Sequence, residues 1–266
     1  MKVYVNGAWL EGDAPAVSAA DRGLMLGDAL FETVAVRAGQ PRRVAAHLAR
    51  LRAGAEELGI ALAEDDDRLA ALLAEAAETN GIDDGLVRLT LTRGAAAPGL
   101  APDPSAAPSL IITGRRRPPS HGPLTAIIAT VTRRNEHSPL ARLKTANYLD
   151  NIIAAREARE RGADEALLLN TAGRLAEATI SNLFLVLDGR ITTPPIGEGA
   201  LPGVMRAAVL DTQEVDERPL GAEDLGRASE ALLTNASGIR PLVLIDGKPV
   251  GDGAPGPVCR RLQEIV

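Results

Sequence analysis

Apolar residues recur along the chain with helical spacing in four segments. Over residues 45–58 they follow intervals of three and four, the period of an amphipathic helix. Residues 68–77 repeat this pattern, which stops at Asn80-Gly81. A third helix is predicted over residues 147–161, with Leu149, Ile152 and Ile153 on its inner face, and a short fourth helix over residues 203–210.

Shorter apolar runs, rich in Val, Ile and Leu, predict β-strands. The first two flank Asn6-Gly7, a pair typical of a two-residue type I′ hairpin turn. Further turns are predicted at residues 38–40, 171–173 and 188–189. The predicted strands cover residues 3–5, 8–10, 31–36, 87–92, 110–113, 124–131, 166–169, 183–187, 231–234 and 242–245. Helices and strands are both present, which predicts an α+β fold.

A proline-rich segment divides the chain. Residues 115–123 contain three prolines and are predicted to link two domains. The first is a small N-terminal α/β domain, residues 1–114, and the second is a larger C-terminal domain, residues 124–266. Residues 94–108, rich in Ala, Pro and Gly, are predicted to form a mobile loop within the first domain.

Composition excludes several function classes. The chain has 266 residues and a net charge of −6, with dispersed arginines, which does not favour nucleic-acid binding. One cysteine and three histidines form no cluster with the spacing of a metal site, so no metal is expected. Without a charged-then-apolar leader or an apolar run of about 18 residues, the sequence predicts a cytoplasmic protein that does not span a membrane.

Lysine is scarce, and one of its three positions suggests chemistry. Of 29 basic residues only Lys2, Lys144 and Lys248 are lysines. A covalent imine requires an amine that can lose its proton, which a guanidinium cannot do. Lys144 is therefore a candidate Schiff-base lysine; the alternative is an exposed cation after a strand. Downstream, the carboxylate of Glu177 leads into a polar cluster and then an apolar strand.

Seven segments together resemble the class IV aminotransferases, the fold-type IV pyridoxal-phosphate enzymes, and they occur in the order found in that family. This resemblance implies a two-domain α+β fold with the active site in the cleft between the domains, and pyridoxal 5′-phosphate as the cofactor. The segments are residues 27–33 (GDALFET), 47–51 (HLARL), 92–94 (TRG), 144–151 (KTANYLDN), 164–166 (DEA), 177–184 (EATISNLF) and 201–206 (LPGVMR).

The resemblance assigns a role to each of several residues. Lys144 is the catalytic lysine, and Glu177 matches the carboxylate that keeps the cofactor's ring nitrogen protonated. Tyr148 matches the tyrosine that donates to the phenolic oxygen. The phosphate ligands are expected to be Arg50, the backbone amides of Val204 and Met205 at a helix N-terminus, and Asn235, which replaces a hydroxyl residue of the relatives.

The substrate side is less clearly marked. Arg88 corresponds to a pocket position and can bind a substrate carboxylate, although a solvent-facing strand position is an equal alternative. Phe31 stands where D-amino acid aminotransferases have a tyrosine. Their Arg-x-His carboxylate trap is absent, since residues 97–100 read Ala-Pro-Gly-Leu. His47 shares a helix face with Arg50 and is predicted to be structural.

Three activities fit these residues. The favoured one is an aminotransferase that moves an amino group between an amino acid, D-amino acids included, and a 2-oxo acid through a Lys144 Schiff base. The alternative is 4-amino-4-deoxychorismate lyase, which releases pyruvate and p-aminobenzoate. A catalytically silent binding protein is disfavoured by the presence of Lys144, Glu177 and Arg50.

The resemblance also implies a homodimer, in which a loop at residues 21–28 completes the partner's site.

Overall fold

The computed structural model describes residues 1–14, 16–103, 106–117 and 122–265. The chain forms two compact units. Unit 1 comprises Met1–Pro119 together with Lys144–Asn147, and unit 2 comprises Ser120–Leu143 and Tyr148–Val266. Lys144 therefore groups with the N-terminal unit, although it follows the first strand of the other unit in sequence.

Unit 1 contains one six-stranded antiparallel sheet in the order β2-β1-β6-β5-β3-β4. Its strands are β1 (Lys2–Val5), β2 (Ala8–Glu11), β3 (Ala29–Arg37), β4 (Gln40–Pro41), β5 (Gly85–Thr92) and β6 (Ser109–Arg116). Its helices are α1 (Arg22–Leu26), α2 (Val44–Leu58) and α3 (Asp66–Thr79).

Local sequence signals explain most of these boundaries. Asn6 and Gly7 both have positive φ, 46° and 98°, as the predicted type I′ turn requires. Helix α3 begins where the Asp65 carboxylate accepts a hydrogen bond from the Arg68 amide, and α2 ends at Gly59 in the left-handed conformation. The predicted hairpin and the two helices predicted for this unit, α2 and α3, are confirmed.

The core of unit 1 lies where α2 and α3 pack against the sheet. The apolar residues spaced at three and four along both helices are almost completely buried: Leu48, Leu51, Leu69, Leu72 and Leu73. Burying each such side chain contributes about 1.5–3 kcal/mol. The predicted amphipathic faces of these two helices are therefore the faces that fold onto the sheet.

Unit 2 is built on a nine-stranded mixed sheet in the order β12-β11-β10-β13-β14-β7-β8-β9, with β15 paired to β14. Its strands are β7 (Leu124–Ile128), β8 (Glu165–Leu169), β9 (Leu175–Ala178), β10 (Asn182–Leu187), β11 (Arg190–Thr193), β12 (Val215–Glu217), β13 (Glu230–Asn235), β14 (Gly238–Ile245) and β15 (Lys248–Pro249). Its helices are α4 (Leu149–Glu160), α5 (Val204–Thr212), α6 (Ala222–Leu225) and α7 (Pro257–Gln263).

Strand β10 lies in the core of this unit. All six of its residues are buried, and Phe184 is packed against Met205 of α5 and Leu262 of α7. The other face of the strand packs in a leucine-rich cluster with Leu167 and Leu242. Burial of both faces explains why this segment reads as a continuous apolar run.

The predicted inner face of α4 is wrong. Leu149 and Ile152 are 73% and 58% exposed, whereas Asn151, Ala154 and Glu157 are buried. Part of the reason is polar: Glu157 accepts hydrogen bonds from the backbone amides of residues 130 and 131 just after β7, and Asn151 donates to a carbonyl after β9. Ala154 on the same face packs with apolar residues of β7 and β8, so hydrogen bonds and alanine packing together direct this side of the helix towards the sheet.

Several other boundaries differ from the predictions. Strand β6 continues to Arg116, two residues into the predicted linker, because it pairs with β5 along its whole length. Strand β7 ends at Ile128, three residues early. Residues 118–121 of the linker lie outside the described residues, and the division at 115–123 stays a prediction. No helix in the described part of the chain is both long and apolar enough to cross a membrane.

Candidate active site

Lys144 lies on a short extended segment beside the start of β3. The Phe31 amide donates to the Lys144 carbonyl at 2.9 Å, and the Ala146 amide donates to the Ala29 carbonyl at 2.9 Å. Between them, Leu30 and Thr145 form an antiparallel bridge. These bonds fix the backbone of Lys144 against a buried strand, so the amine extends from a rigid support.

The Phe31 ring contacts two predicted site residues. The Lys144 Nζ lies 4.5 Å from the ring centroid, and the Arg88 Cζ lies 3.6 Å from it. Both are cation–π distances. Arg88 is exposed on β5, as the solvent-facing alternative expected, yet its guanidinium stacks on the ring that Lys144 also contacts. The structure thus brings together Lys144, Arg88 and Phe31.

Arg50 lies in a buried ion pair behind this group. Its Nε donates to Glu32 Oε1 at 2.7 Å and its Nη2 to Glu32 Oε2 at 2.6 Å, a bidentate pair. His47 Nδ1 lies 2.7 Å from the same Oε2. Burial alone raises the pKa of the Glu32 carboxyl, but the hydrogen bonds and charges of Arg50 and His47 outweigh it and lower that pKa.

Glu177 lies on the edge strand β9 and is nevertheless buried. Arg134 donates to its Oε1 through Nε at 2.8 Å and also through Nη2, and the Leu201 amide donates to Oε2 at 2.9 Å. The carboxylate is therefore held by donors on both oxygens. The role of Arg134 was not predictable from the sequence, because nothing in the local pattern connects two residues 43 positions apart.

A second buried carboxyl lies in the same part of unit 2. Glu165, on β8, accepts hydrogen bonds from the Ala166 amide and from both the amide and the hydroxyl of Thr179. Burial raises the pKa of the Glu165 carboxyl, and the charge of Glu177 raises it further, while those hydrogen bonds act in the opposite direction. The net shift is upward.

Helix α5 begins at Gly203 without a side-chain cap. A Cβ at Gly203 would lie 2.0 Å from Asn182 Oδ1, so only glycine allows this close approach. Asn182 also donates to the Leu201 carbonyl at 2.8 Å and holds the turn before the helix. Val204 and Met205 are buried in the first turn, where backbone amides and the helix dipole favour an anion.

The two remaining predicted residues lie in unit 2. Tyr148 is half-buried at the start of α4, and its carbonyl accepts the Ile152 amide. Asn235, at the end of β13, donates to Ser181 Oγ at 3.0 Å and accepts from the Ser237 amide. Its side chain is therefore anchored in a polar turn, with one amide hydrogen already used.

The residues present fit pyridoxal phosphate. An amine on a rigid backbone, a carboxylate held by an arginine, a partly exposed arginine and an uncapped helix N-terminus are the groups that this cofactor needs. Beside Asn235, the hydroxyl of Thr234 is buried without a partner among the described residues. Those residues also contain no group of three His, Cys, Asp or Glu side chains arranged to bind a metal.

A model of the amino-transferase class IV family matches residues 29–245 of this sequence. The chain belongs to the class IV aminotransferase family. Enzymes of this family depend on pyridoxal phosphate, so the predicted enzyme class and cofactor are confirmed at the family level. A D-alanine aminotransferase from Bacillus licheniformis is 30% identical over 275 residues, covering 99% of this chain and 95% of that protein.

Solved structures of the family share the fold. The Escherichia coli branched-chain amino acid aminotransferase superposes with a TM-score of 0.93 at 26% identity, covering 99% of this chain and 92% of that one. A Legionella pneumophila protein named "Putative 4-amino-4-deoxychorismate lyase" gives a TM-score of 0.87 at 30% identity, covering 94% of each chain. The predicted α+β class IV fold is therefore confirmed.

Proposed function

We propose that this class IV enzyme is an aminotransferase that exchanges an amino group between an amino acid and a 2-oxo acid. The observation that carries the proposal is the shared Phe31 ring, on which Arg88 stacks and which Lys144 contacts. A guanidinium on the ring that the reacting amine also contacts suits a substrate carboxylate, because it can donate two parallel hydrogen bonds. Both half-reactions of an aminotransferase bind such a carboxylate.

Lys144 is the proposed catalytic residue. Bound pyridoxal phosphate supplies an electron sink for the negative charge that develops at the substrate Cα. The Lys144 amine, freed when substrate binds, acts as a general base that removes the proton from the substrate Cα. It then acts as a general acid that delivers a proton to C4′ of the cofactor. The backbone bonds to β3 orient the Lys144 side chain, whose Nζ lies 4.5 Å from the Phe31 ring centroid.

Glu177 is the proposed partner of the cofactor's ring nitrogen. A carboxylate in this position keeps the nitrogen protonated, and Arg134 balances the carboxylate's own charge and fixes its orientation. Glu177→Gln should therefore retain the cofactor but slow proton removal at the substrate Cα. An unchanged rate in a single-turnover measurement would remove Glu177 from this role.

The phosphate and the phenolic oxygen have separate proposed ligands. Arg50 binds the phosphate through its guanidinium, and the amides of Val204 and Met205 bind it at the N-terminus of α5. Asn235 donates its second amide hydrogen to the same group. Tyr148 donates to the phenolic oxygen. It lies at the start of α4, where the Tyr148 carbonyl accepts a hydrogen bond from the Ile152 amide and holds the first turn of the helix.

Lyase activity is the second candidate. The Phe31-Glu32-Thr33 segment and the Gly-Val-Met-Arg turn at residues 203–206 favour it, and so does the similarity to the Legionella protein. Against it stand the Arg88 stack and the Asn-Tyr-Leu-Asp-Asn run at residues 147–151, which resemble the aminotransferase pocket.

A spectroscopic half-reaction separates the two. The cofactor-loaded protein is mixed with D-alanine, D-glutamate, L-leucine or L-glutamate, and separately with aminodeoxychorismate. Conversion to the pyridoxamine form by an amino acid supports the aminotransferase and reveals its stereochemical preference. If every amino acid leaves the spectrum unchanged while aminodeoxychorismate releases pyruvate, the lyase is correct.

The role of Arg88 has its own test. Arg88→Gln removes the charge and should raise KM for the amino donor at least about tenfold, because a charge-assisted hydrogen bond contributes roughly 1.5–3 kcal/mol. The matched control is Arg68→Gln, which removes an exposed arginine of α3 in the same unit. Equal KM values in both variants would exclude Arg88 from substrate binding.

We also propose a homodimer. Asp21 caps α1 by accepting from the Gly23 amide, and Arg22 donates to the carbonyls of Gly99 and Leu100, so α1 is firmly held. The helix nevertheless exposes three apolar side chains: Leu24, Met25 and Leu26. This segment, residues 21–28, is the proposed contribution to the partner's site. Light scattering that gives a monomer mass would contradict it.

A further inference from the structure

The strand that carries Phe31 also carries a buried carboxylate on its opposite face. Glu32 is only 1% exposed, on strand β3 of the six-stranded sheet. An ionised carboxyl at such a site has a large desolvation cost unless it is paired. His47 and Arg50 of α2 both pair with Glu32. They can reach the same carboxylate because they are three residues apart and therefore lie on one helix face.

The geometry of this cluster restricts Arg50 strongly. Glu32 accepts through both oxygens from Nε and Nη2, so the guanidinium plane is coplanar with the carboxylate and cannot rotate without losing both bonds. His47 occupies a further lone pair on Oε2 and prevents the carboxylate from rotating in turn. The Arg50 side chain remains 13% exposed. A free arginine loses rotamer entropy on binding a ligand, whereas this one has already lost it on pairing with Glu32.

We propose that Glu32 and His47 are positioning residues that fix the Arg50 guanidinium for binding the cofactor phosphate. This inference rests on the proposed role of Arg50. Neither residue needs to touch the cofactor: Glu32 orients Arg50, and His47 orients Glu32. Their effect should therefore depend on the phosphate group and leave the rest of cofactor binding unchanged.

An opposing effect must be weighed. The negative charge of Glu32 reduces the attraction between Arg50 and a phosphate, so its removal also removes a repulsion. In Glu32→Gln, however, the side-chain NH₂ replaces one acceptor and faces an arginine N–H, so the bidentate pair cannot form. We expect the loss of orientation to exceed the gain in charge, because a carboxylate so close to Arg50 leaves the guanidinium cationic while fixing its plane.

The test compares two forms of the cofactor on the apoenzyme. Dissociation constants for pyridoxal phosphate and for pyridoxal, which lacks the phosphate, are measured by absorbance titration. The ratio of the two constants isolates the contribution of the phosphate. In Glu32→Gln and in His47→Gln we expect affinity for pyridoxal phosphate to fall about tenfold or more, with affinity for pyridoxal unchanged.

Two further variants complete the design. Arg50→Lys should reduce the phosphate contribution, and combining it with Glu32→Gln should add little, because both changes act through the same guanidinium. Glu230→Gln is the matched control: it removes a buried carboxylate that accepts from the amides of Val258 and Cys259 at the start of α7. This control should leave the ratio unchanged.

The outcomes are distinguishable. A lower melting temperature with an unchanged ratio in both Glu32→Gln and His47→Gln would make the cluster merely structural and overturn the inference. Tighter binding of pyridoxal phosphate in Glu32→Gln would overturn it as well. If Glu32→Gln does not fold, His47→Gln decides alone. An unchanged ratio in Arg50→Lys would instead refute the proposed role of Arg50, and none of these outcomes depends on which reaction the enzyme performs.

Discussion

Replacing Arg134 by methionine tests how Glu177 is held. The side chains of Arg134 and Glu177 are 18% and 5% exposed. Arg134 donates two of the three hydrogen bonds that the Glu177 carboxylate accepts. Methionine has a similar length and no charge, so Arg134→Met removes the pairing with little change in packed volume. Glu177 is then left with the Leu201 amide as its remaining partner.

The magnitude follows from burial. Removing one partner of a buried ion pair costs about 3–5 kcal/mol, because the other charge stays desolvated. Arg134 is partly exposed and the Leu201 amide still donates to Oε2, so we expect the lower end, about 3 kcal/mol. At roughly 2–4 °C per kcal/mol for a protein of this size class, the melting temperature should fall by about 6–12 °C.

The assay is thermal unfolding of the apoenzyme, with Arg156→Met as the control. Arg156 pairs with Glu160 at 3.6 Å, and both side chains are about 70% exposed, so its loss should cost no more than about 0.5 kcal/mol. In a Glu177→Gln background Arg134→Met should cost clearly less than alone. Equal shifts for the two arginine variants, or full additivity in the double variant, would refute the reasoning.

Three further predictions concern single residues. Burial raises the pKa of Glu165, so the protonated carboxyl stabilises the fold below its ordinary pKa of 4.5, and this stabilisation is lost as pH rises through the raised pKa. Over that pH range the melting temperature of Glu165→Gln should rise relative to that of the wild type. A difference in melting temperature that does not change with pH would contradict this. Lys144→Ala should lose turnover and the absorbance of the lysine-bound cofactor while keeping the fold, and retained turnover would exclude the mechanism. Gly203→Ala should destabilise by about 1–3 kcal/mol, since its Cβ would overlap Asn182 Oδ1, and an unchanged melting temperature would show that the turn adapts.

Local patterns in the sequence predicted much of the fold. Helices α2 and α3 and the first hairpin were predictable because their signals are local: apolar residues at helical spacing, Gly59 after one helix, and Asn6-Gly7 in a turn that needs two positive φ angles. Strands β4, β9, β11, β12 and β15 were not predicted. They have two to four residues each, too short for a period of two to be distinguished from a loop.

The orientation of α4 shows where local reasoning fails. Its large apolar residues predict an inner face at Leu149 and Ile152, yet the helix exposes both and buries Asn151 and Glu157. The spacing of apolar residues shows that a helix has two different faces. It does not show which face packs against the rest of the protein. That was decided by hydrogen bonds to backbone groups beyond the ends of β7 and β9, and by packing of alanines of α4 against β7 and β8, all of which are remote in sequence.

The candidate site divides in the same way. By itself the sequence determined the identities of the chemical groups, because a scarce lysine at position 144 and a carboxylate at position 177 each lie in a recognisable family motif. Only the tertiary structure decided what holds them: Arg134 on Glu177, and Glu32 with His47 on Arg50. These partners are 15 to 43 residues apart along the chain. Charges this far apart in sequence meet only when strand pairing and helix packing bring them together, and no local period records that contact.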